Sequence, residues 1–399
     1  VTEATPRTSG AAASVAGALL PLLAVVLVAF LVIGIALPVL PLHVHDRLGY
    51  GPFMVGLVTG CQFAAALVAR LWSGGMSDAQ GPKRAVVVGL AAAAAAGALY
   101  LASLTATGTP AVSAGILLAG RAVLGGAESF IITGATAWGL ARAGTPNAGK
   151  VIAWTGTAMF AAFAAGAPLG TALYAAGGFA AVAAATTLAP LATLLLIVPV
   201  QAAVPAHRGV PPFLPVLERI WLPGLAAALS SIGFGALITF GALLFSAHDW
   251  QPVWLAFTAY ASALIVARLL FGHLPDRYGG ARVALVCVLI QAGGLLLMGT
   301  AGSATVAAAG AALTGLGYAL VFPGFGVEAV RRSPPASRGT AMGAYTACLD
   351  LALGVSGPTL GLVAGHAGFG AVFLVSAAPV GSAALVAAWL LRSHAAART

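Results

Sequence analysis

The sequence predicts an all-α integral membrane protein, with twelve transmembrane helices in two pseudo-symmetric six-helix bundles. Three observations predict it. Of 399 residues, 60% are hydrophobic and only 7% are charged, against roughly 25% charged in a soluble globular domain. Twelve segments come close to, or exceed, the about 20 apolar residues that a bilayer core requires. A set of residues in the first half also recurs 198 positions later.

In chain order, residues 1–15 open small and polar and are expected to form a cytoplasmic tail. The apolar run 16–41 is too long for a signal-peptide core, and further spans follow it, so it is the first crossing. His43, His45, Asp46 and Arg47 lie just beyond. Two histidines at i and i+2 share no helical face, so this group reads as a solvated mouth and no metal site is expected. Spans 53–74 and 84–105 follow, joined by the charged turn "GGMSDAQGPKR", and then come 111–141, 147–176 and 179–200. These make an N-terminal bundle, 16–200. Residues 201–218 carry Pro205, Pro211, Pro212 and Pro215, which end one helix and hold off the next, and form a cytoplasmic linker. The C-terminal bundle, 219–392, holds spans 219–246, 252–274, 282–301, 305–332, 336–366 and 369–392, with 393–399 as a closing tail. Leu, Val and Phe supply a lipid-facing surface. The 52 glycines, with abundant alanine, suit helices that approach closely.

Charge fixes the expected orientation. Even-numbered connections carry Lys83 and Arg84, Arg142 and Lys150, Arg208 and Arg219, Arg277 and Arg282, then Arg331, Arg332 and Arg338. Arg7 precedes the first span, and Arg392 and Arg398 stand at or after the last. Among odd-numbered connections only Arg47 appears. Basic residues favour the inner side, so both termini are expected in the cytoplasm.

Composition also excludes several classes. Eighteen basic residues against nine acidic ones give a formal charge of +9, but they stand singly or in pairs. No dense basic patch suits a nucleic acid. Cys61, Cys287 and Cys348 lie in apolar stretches without CxxC spacing and read as small buried hydrophobes. There is no GxxxxGK[ST] phosphate loop, no zinc motif and no nucleophile–base pair. The reading is therefore not an enzyme, with no cofactor.

The repeat is specific. Ala69-Arg70-Leu71 returns as Ala267-Arg268-Leu269, Gly74 as Gly272, Asp78 as Asp276 and Gly81 as Gly279. Repeated chemistry at one place in both halves implies an internal structural repeat. Gly74, near the end of its span, is expected to permit tight contact with a neighbouring helix. Asp78 and Asp276 could accept backbone or Arg hydrogen bonds and cap a helix. Gly81 and Gly279 relieve the turn backbone. Such turns form a charged latch between the halves, or else static turns with solvated charges.

These turns carry a family resemblance. "GGMSDAQGPKR" resembles the Gly-x-x-x-Asp-x-x-Gly-x-Arg/Lys-Arg/Lys loop of the major facilitator superfamily, and "GHLPDRYGGAR" resembles its weaker second copy. The resemblance implies that Asp78 is the gating acid, with Lys83 and Arg84 at the basic end. In the second copy Gly280 and Ala281 occupy the usual basic positions, leaving Arg282. "GRAVLGGAE" in the fourth span, with Arg121, Gly125 and Glu128, is similar to the family's Arg-x-x-x-Gly motif of proton-coupled members. "GAPLG" (Gly166, Pro168, Gly170) and "GPTLG" (Gly357, Pro358, Gly361) are similar to its helix-packing motif. The second fits the start of the Gly-Pro-x-x-Gly-Gly pattern of the drug and metabolite antiporters. The resemblance covers nearly the whole chain and implies a bacterial inner-membrane transporter.

Intramembrane ions are costly and mark function or pairing. Glu128 lies seven residues beyond Arg121, near the same helical face. The pair is either a protonatable carboxylate tuned by an arginine or a permanent structural ion pair. Asp350 lies about 18 Å inside its span with no basic residue nearby in sequence. It is a candidate proton carrier, a substrate counter-ion, or a buried hydrogen bond between helices. Glu328 precedes Arg331 and Arg332 by one turn and suits anchoring or gating. Gln62, Ser129, Thr133, Trp154, Tyr260, Gln291, Tyr318 and Tyr345 are candidate cavity liners, each of which could equally join helices. Prolines 38, 168, 323 and 358 bend helices and free carbonyls.

The expected function is secondary transport of a small organic solute, either an amphipathic compound or a sugar-like metabolite. Export by proton antiport is favoured. Proton-coupled uptake and a non-transporting receptor or scaffold are the alternatives. Lipid is the expected surroundings, and no obligatory protein partner is inferred.

Overall fold

Proline and glycine punctuate this fold. The computed structural model describes residues 9–144, 147–203, 213–334 and 338–396, and among them there is no strand. Helix α1 is Ser9–Leu42, continued by a π-helical turn, His43–Arg47. Helices α2 (Pro52–Gln80), α3 (Pro82–Leu104) and α4 (Pro110–Ala143) each open on a proline. Its fixed φ suits the first turn, where no intrahelical donor is needed. The next helix, Ala148–Ile197, is broken at Gly177 and Gly178, giving α5 (148–176) and α6 (179–197). Gly178 has φ +63°, a region that a side chain disfavours.

Helix α7 is Phe213–Ala247 and α8 is Leu255–Phe271, followed by a five-residue helix, Leu274–Tyr278. Helices α9 (Gly280–Gly299) and α10 (Ala304–Arg331) come next. The last helix, Arg338–Ala396, breaks at Gly368, where φ is +80°, giving α11 (338–367) and α12 (369–396). Among the described residues, nine continuous helices are long and apolar enough to cross a membrane. Two of them are those broken at glycine, and α8 adds an apolar helix of 17 residues. Divided at those glycines, the helices are consistent with the twelve spans expected from sequence.

Some ends differ from expectation. α1 starts at Ser9 rather than 16, and α7 starts at Phe213, so it takes in Pro215 and Glu218 of the expected linker. A proline in the first turn of a helix removes no hydrogen bond. Pro205, Pro211 and Pro212 lie outside the described residues.

The helix pairings repeat between halves. In the first, α1 packs on α5, α3 on α4, α2 on α4, and α3 on α6. In the second, α7 packs on α11, α9 on α10, α8 on α10, and α9 on α12. This is the pseudo-symmetry that the repeat implied. Small residues make the contacts: a side chain at Gly97 would meet Thr187, and one at Gly294 would meet Thr314.

Candidate functional site

The halves meet along three lines. α1 faces α7, α2 faces α11, and α5 faces α8. Every residue in 32–41 of α1 and in 233–245 of α7 is buried, so the end of the molecule where α1 finishes is closed. α4 and α10 do not pack along one another.

The α2–α11 seam is built on glycine. A Cβ on Gly56 would strike the Gly357 carbonyl, one on Gly60 the Gly354 carbonyl, and one on Gly361 the backbone of Pro52 and Phe53. Bare backbone is what lets the two helices lie this close. Gly357 and Gly361 thus sit at the seam between halves. Gly166 and Gly170 instead pack within one half, against Gly34 and Ile35 of α1.

At the far end of this seam Arg70 of α2 is ion-paired with Asp350 of α11 through its Nε. The Asp350 side chain is 9% exposed and that of Arg70 23%. The partner that sequence could not show for Asp350 therefore comes from the other half. Close by on α4, Glu128 accepts a 2.7 Å hydrogen bond from Gln62 Nε2 of α2. No direct Arg121–Glu128 bond is made among the described residues. Arg121 is fully buried, and its Nε donates to the Val58 carbonyl at 3.4 Å. Its two terminal nitrogens have no partner among the described residues. Two helical turns separate Arg121 from Glu128, and Gln62 reaches the carboxylate first. Ser73 stands 3.1 Å from Ser129 and 3.4 Å from Thr133, extending this polar strip along α2 and α4.

The α5–α8 seam carries the repeat-related arginine. Arg268 is half-buried, its guanidinium lies 5.1 Å from the Phe160 ring centre, and a Cβ on Gly156 would come within 3.1 Å of its Nη1. Its Nη2 donates to the Ala319 carbonyl at 3.3 Å. That carbonyl belongs to the residue four before Pro323, which has no N–H to give it. The same logic holds across the seam, where Thr258 Oγ1 donates at 3.3 Å to Ala164, the carbonyl released by Pro168. Pro358 likewise releases Gly354, whose oxygen abuts Gly60.

Beside Arg268 stands an aromatic group. Phe234 stacks on Tyr260 at 5.5 Å and on Tyr318 at 5.8 Å, while Phe163 of α5 meets Phe257 at 6.0 Å. The Tyr318 hydroxyl pairs with Ser231 at 3.1 Å, whereas the buried Tyr260 hydroxyl has no partner among the described residues. Two expected cavity liners are satisfied elsewhere. Gln291 Nε2 donates to the Ser230 carbonyl at 2.9 Å, and the Tyr345 hydroxyl donates to the Phe322 carbonyl at 2.8 Å. Both join helices of one half. Trp154 is exposed, at 36%.

The repeated turns are alike in backbone: Gly81 has φ +93° and Gly279 has φ +92°. Gly74 differs from expectation, because a Cβ there would meet nothing within 4 Å. It stands near the end of α2 with its bare Cα facing open space. A Cβ on Gly272 would meet only the Arg268 carbonyl of its own turn. Lys83 Nζ donates to the Val198 and Val200 carbonyls, each at 2.7 Å, and so caps the end of α6 within its own half. Arg84, Asp276 and Arg277 are exposed. Arg282 lines a groove of about 350 Å³ with Tyr278, Val286 and Leu316. Buried Glu328 lies 3.4 Å from the Ala281 N–H at the start of α9. At the other end His43 stacks on Phe179 at 4.1 Å, and His45 meets the Tyr50 carbonyl at 2.9 Å.

Sequence reasoning assigned no role to Arg70, Arg268, Gly56 or Gly60. The arginines were visible as part of the repeat, and Gly56 and Gly60 stand at the four-residue spacing that marks close helix contact.

A family model described as Major Facilitator Superfamily matches residues 22–257 and 251–399. An uncharacterized MFS-type transporter of Pseudomonas aeruginosa is 45% identical over 368 residues, 92% of each chain. Another, of Burkholderia mallei, is 40% identical over 350 residues, covering 88% of this chain and 86% of that one. Among solved structures, the nucleoside transporter NupG superposes with a TM-score of 0.75 at 15% identity, over 93% of this chain and 99% of that one. A D-xylose–proton symporter superposes with a TM-score of 0.75 at 14% identity, over 92% and 96%. At such identities the likeness is one of fold.

Proposed function

We propose a transport cycle from one premise: this chain belongs to the major facilitator superfamily and is a secondary transporter, not an enzyme. A small organic solute binds between the two halves, α1–α6 and α7–α12. The halves rock, and the solute is exported in exchange for protons. The basic connections support cytoplasmic termini in a bacterial inner membrane. With that orientation, the closed α1–α7 end is the outer one, while α4 and α10 do not pack along one another. The repeated turns then lie on the cytoplasmic face as the gate.

The observation that carries the reading is the Arg70–Asp350 ion pair, which bridges the halves beside Glu128. Binding a proton to Asp350 would cancel its attraction for Arg70 and loosen the seam, which is how a proton gradient could drive a rigid-body change. The charged and titratable groups around this point are Arg70, Glu128, Arg121 and Tyr318. Glu128, held by Gln62, is the second proton-carrying carboxylate. Export over uptake is supported by the Gly357–Pro358–Gly361 pattern at the same seam.

The test is solute flux in proteoliposomes, with a panel of amphipathic compounds and sugar-like metabolites, with and without an imposed pH gradient. Wild-type flux should follow the gradient, and Asp350→Asn should retain exchange while losing that dependence. Wild-type exchange indifferent to the gradient would reject proton coupling.

A further inference from the structure

Arg70 and Arg268 hold the same place in the repeat, eight residues before Asp78 and Asp276 respectively. Each reaches the opposite half at its own seam. Their surroundings differ in one respect. Arg70 finds the carboxylate of Asp350. Arg268 finds the bare backbone at Gly156, the Phe160 ring and one proline-released carbonyl, and no carboxylate among the described residues. A half-buried guanidinium has five donors, and among the described residues Arg268 meets a single hydrogen-bond acceptor.

The neighbours of Arg268 have a defined chemistry. The Arg268 guanidinium packs against bare backbone at Gly156, where a Cβ would come within 3.1 Å of Nη1 and crowd it. Arg268 is within electrostatic reach of Tyr318 and Tyr260. Tyr260 adds a buried hydroxyl without a partner, a second donor. The buried Phe160, Phe234, Tyr260 and Tyr318 rings make the surroundings apolar and aromatic on both sides of the seam. An arginine fork matches a carboxylate in two parallel hydrogen bonds, and stacked rings accept a planar body.

We propose that Arg268 is a substrate-binding residue, and that the α5–α8 seam takes planar organic anions, with an aryl carboxylate seated on Arg268 as Asp350 is seated on Arg70. The ligand supplies the negative charge that the protein itself provides at the other seam. Loading then completes a second bridge between the halves, which couples occupancy to their relative position. This rests on the transporter reading above, and it is tested by binding alone, so failure of proton coupling and failure of this site remain distinguishable.

The probe is radiolabelled 2-naphthoate, with 2-naphthamide as its neutral counterpart, measured at equilibrium on the purified full chain in detergent without any gradient. Wild type should bind the acid at least about tenfold more tightly than the amide, the loss typical of a charge-assisted pair. Arg268→Gln should erase that preference. Arg268→Lys should keep part of it, and Gly156→Val should weaken acid binding by crowding the guanidinium. Should Arg268→Gln fail to purify as a monodisperse protein, the acid-to-amide ratio of wild type and of Arg268→Lys still decides. Equal binding of acid and amide by wild type, no binding of the acid, or an unchanged preference in Arg268→Gln would each overturn the assignment. A purely structural Arg268 would not discriminate between the two probes.

Discussion

Arg70 and Asp350 stand 280 positions apart and form an ion pair between the two halves, at the edge of the α2–α11 seam. Removing Arg70 leaves Asp350 buried without its ion-pair partner, and removing Asp350 leaves Arg70 half-buried without its own. Arg70→Gln should therefore lower stability by about 1–3 kcal/mol, read as the midpoint of unfolding in mixed micelles. The exchanged double variant, Arg70→Asp with Asp350→Arg, should recover part of that loss. Equal damage in single and double variants would mean that the pair contributes nothing.

Gly56 and Gly74 lie on the same helix in opposite situations. A Cβ on Gly56 would overlap the Gly357 carbonyl, whereas one on Gly74 meets nothing. Gly56→Val should cost about 1–3 kcal/mol through overpacking at the seam. Gly74→Ala should be neutral, or stabilising by up to about 1 kcal/mol. The same micelle unfolding assay ranks the two.

Gly81 and Gly279 both require a positive φ. Alanine at either position should cost about 1–2 kcal/mol, with the two substitutions roughly additive because they sit in different halves. A tolerated Gly81→Ala would show that the turn can adopt another backbone path.

Gln62 fixes the Glu128 carboxylate at 2.7 Å. Glu128→Gln keeps the size of the side chain but carries no proton. It should purify and unfold much like wild type, while losing gradient-driven flux in proteoliposomes. Retained gradient-driven flux would remove Glu128 from the coupling path.

The spans and the repeat were legible because they rest on local properties: apolar length, basic connections, and glycine or proline at helix ends. Even the breaks at Gly178 and Gly368 fall where two apolar runs had to be separated. The site was less legible. Asp350 looked solitary because its partner sits in the other half, and no pattern within α11 encodes that meeting. Arg121 and Glu128 were aligned by helical period, yet period says nothing about Gln62 approaching from α2. Gly74 was read from its place in a motif, which fixes its position along α2 and leaves open whether anything faces it. Arg268 was in plain view as a repeated letter. Its meaning came only from comparing what each arginine touches.

Both seams also contain a proline placed so that one helix gives up a carbonyl to its neighbour: Ala164 to Thr258 at one, Gly354 against Gly60 at the other. These oxygens are not committed to their own helices. A sliding motion can hand them to water or to the next donor while every turn of α5 and α11 stays intact. A shift of one helix along the other at these points would trade a few bonds and would not require melting helix.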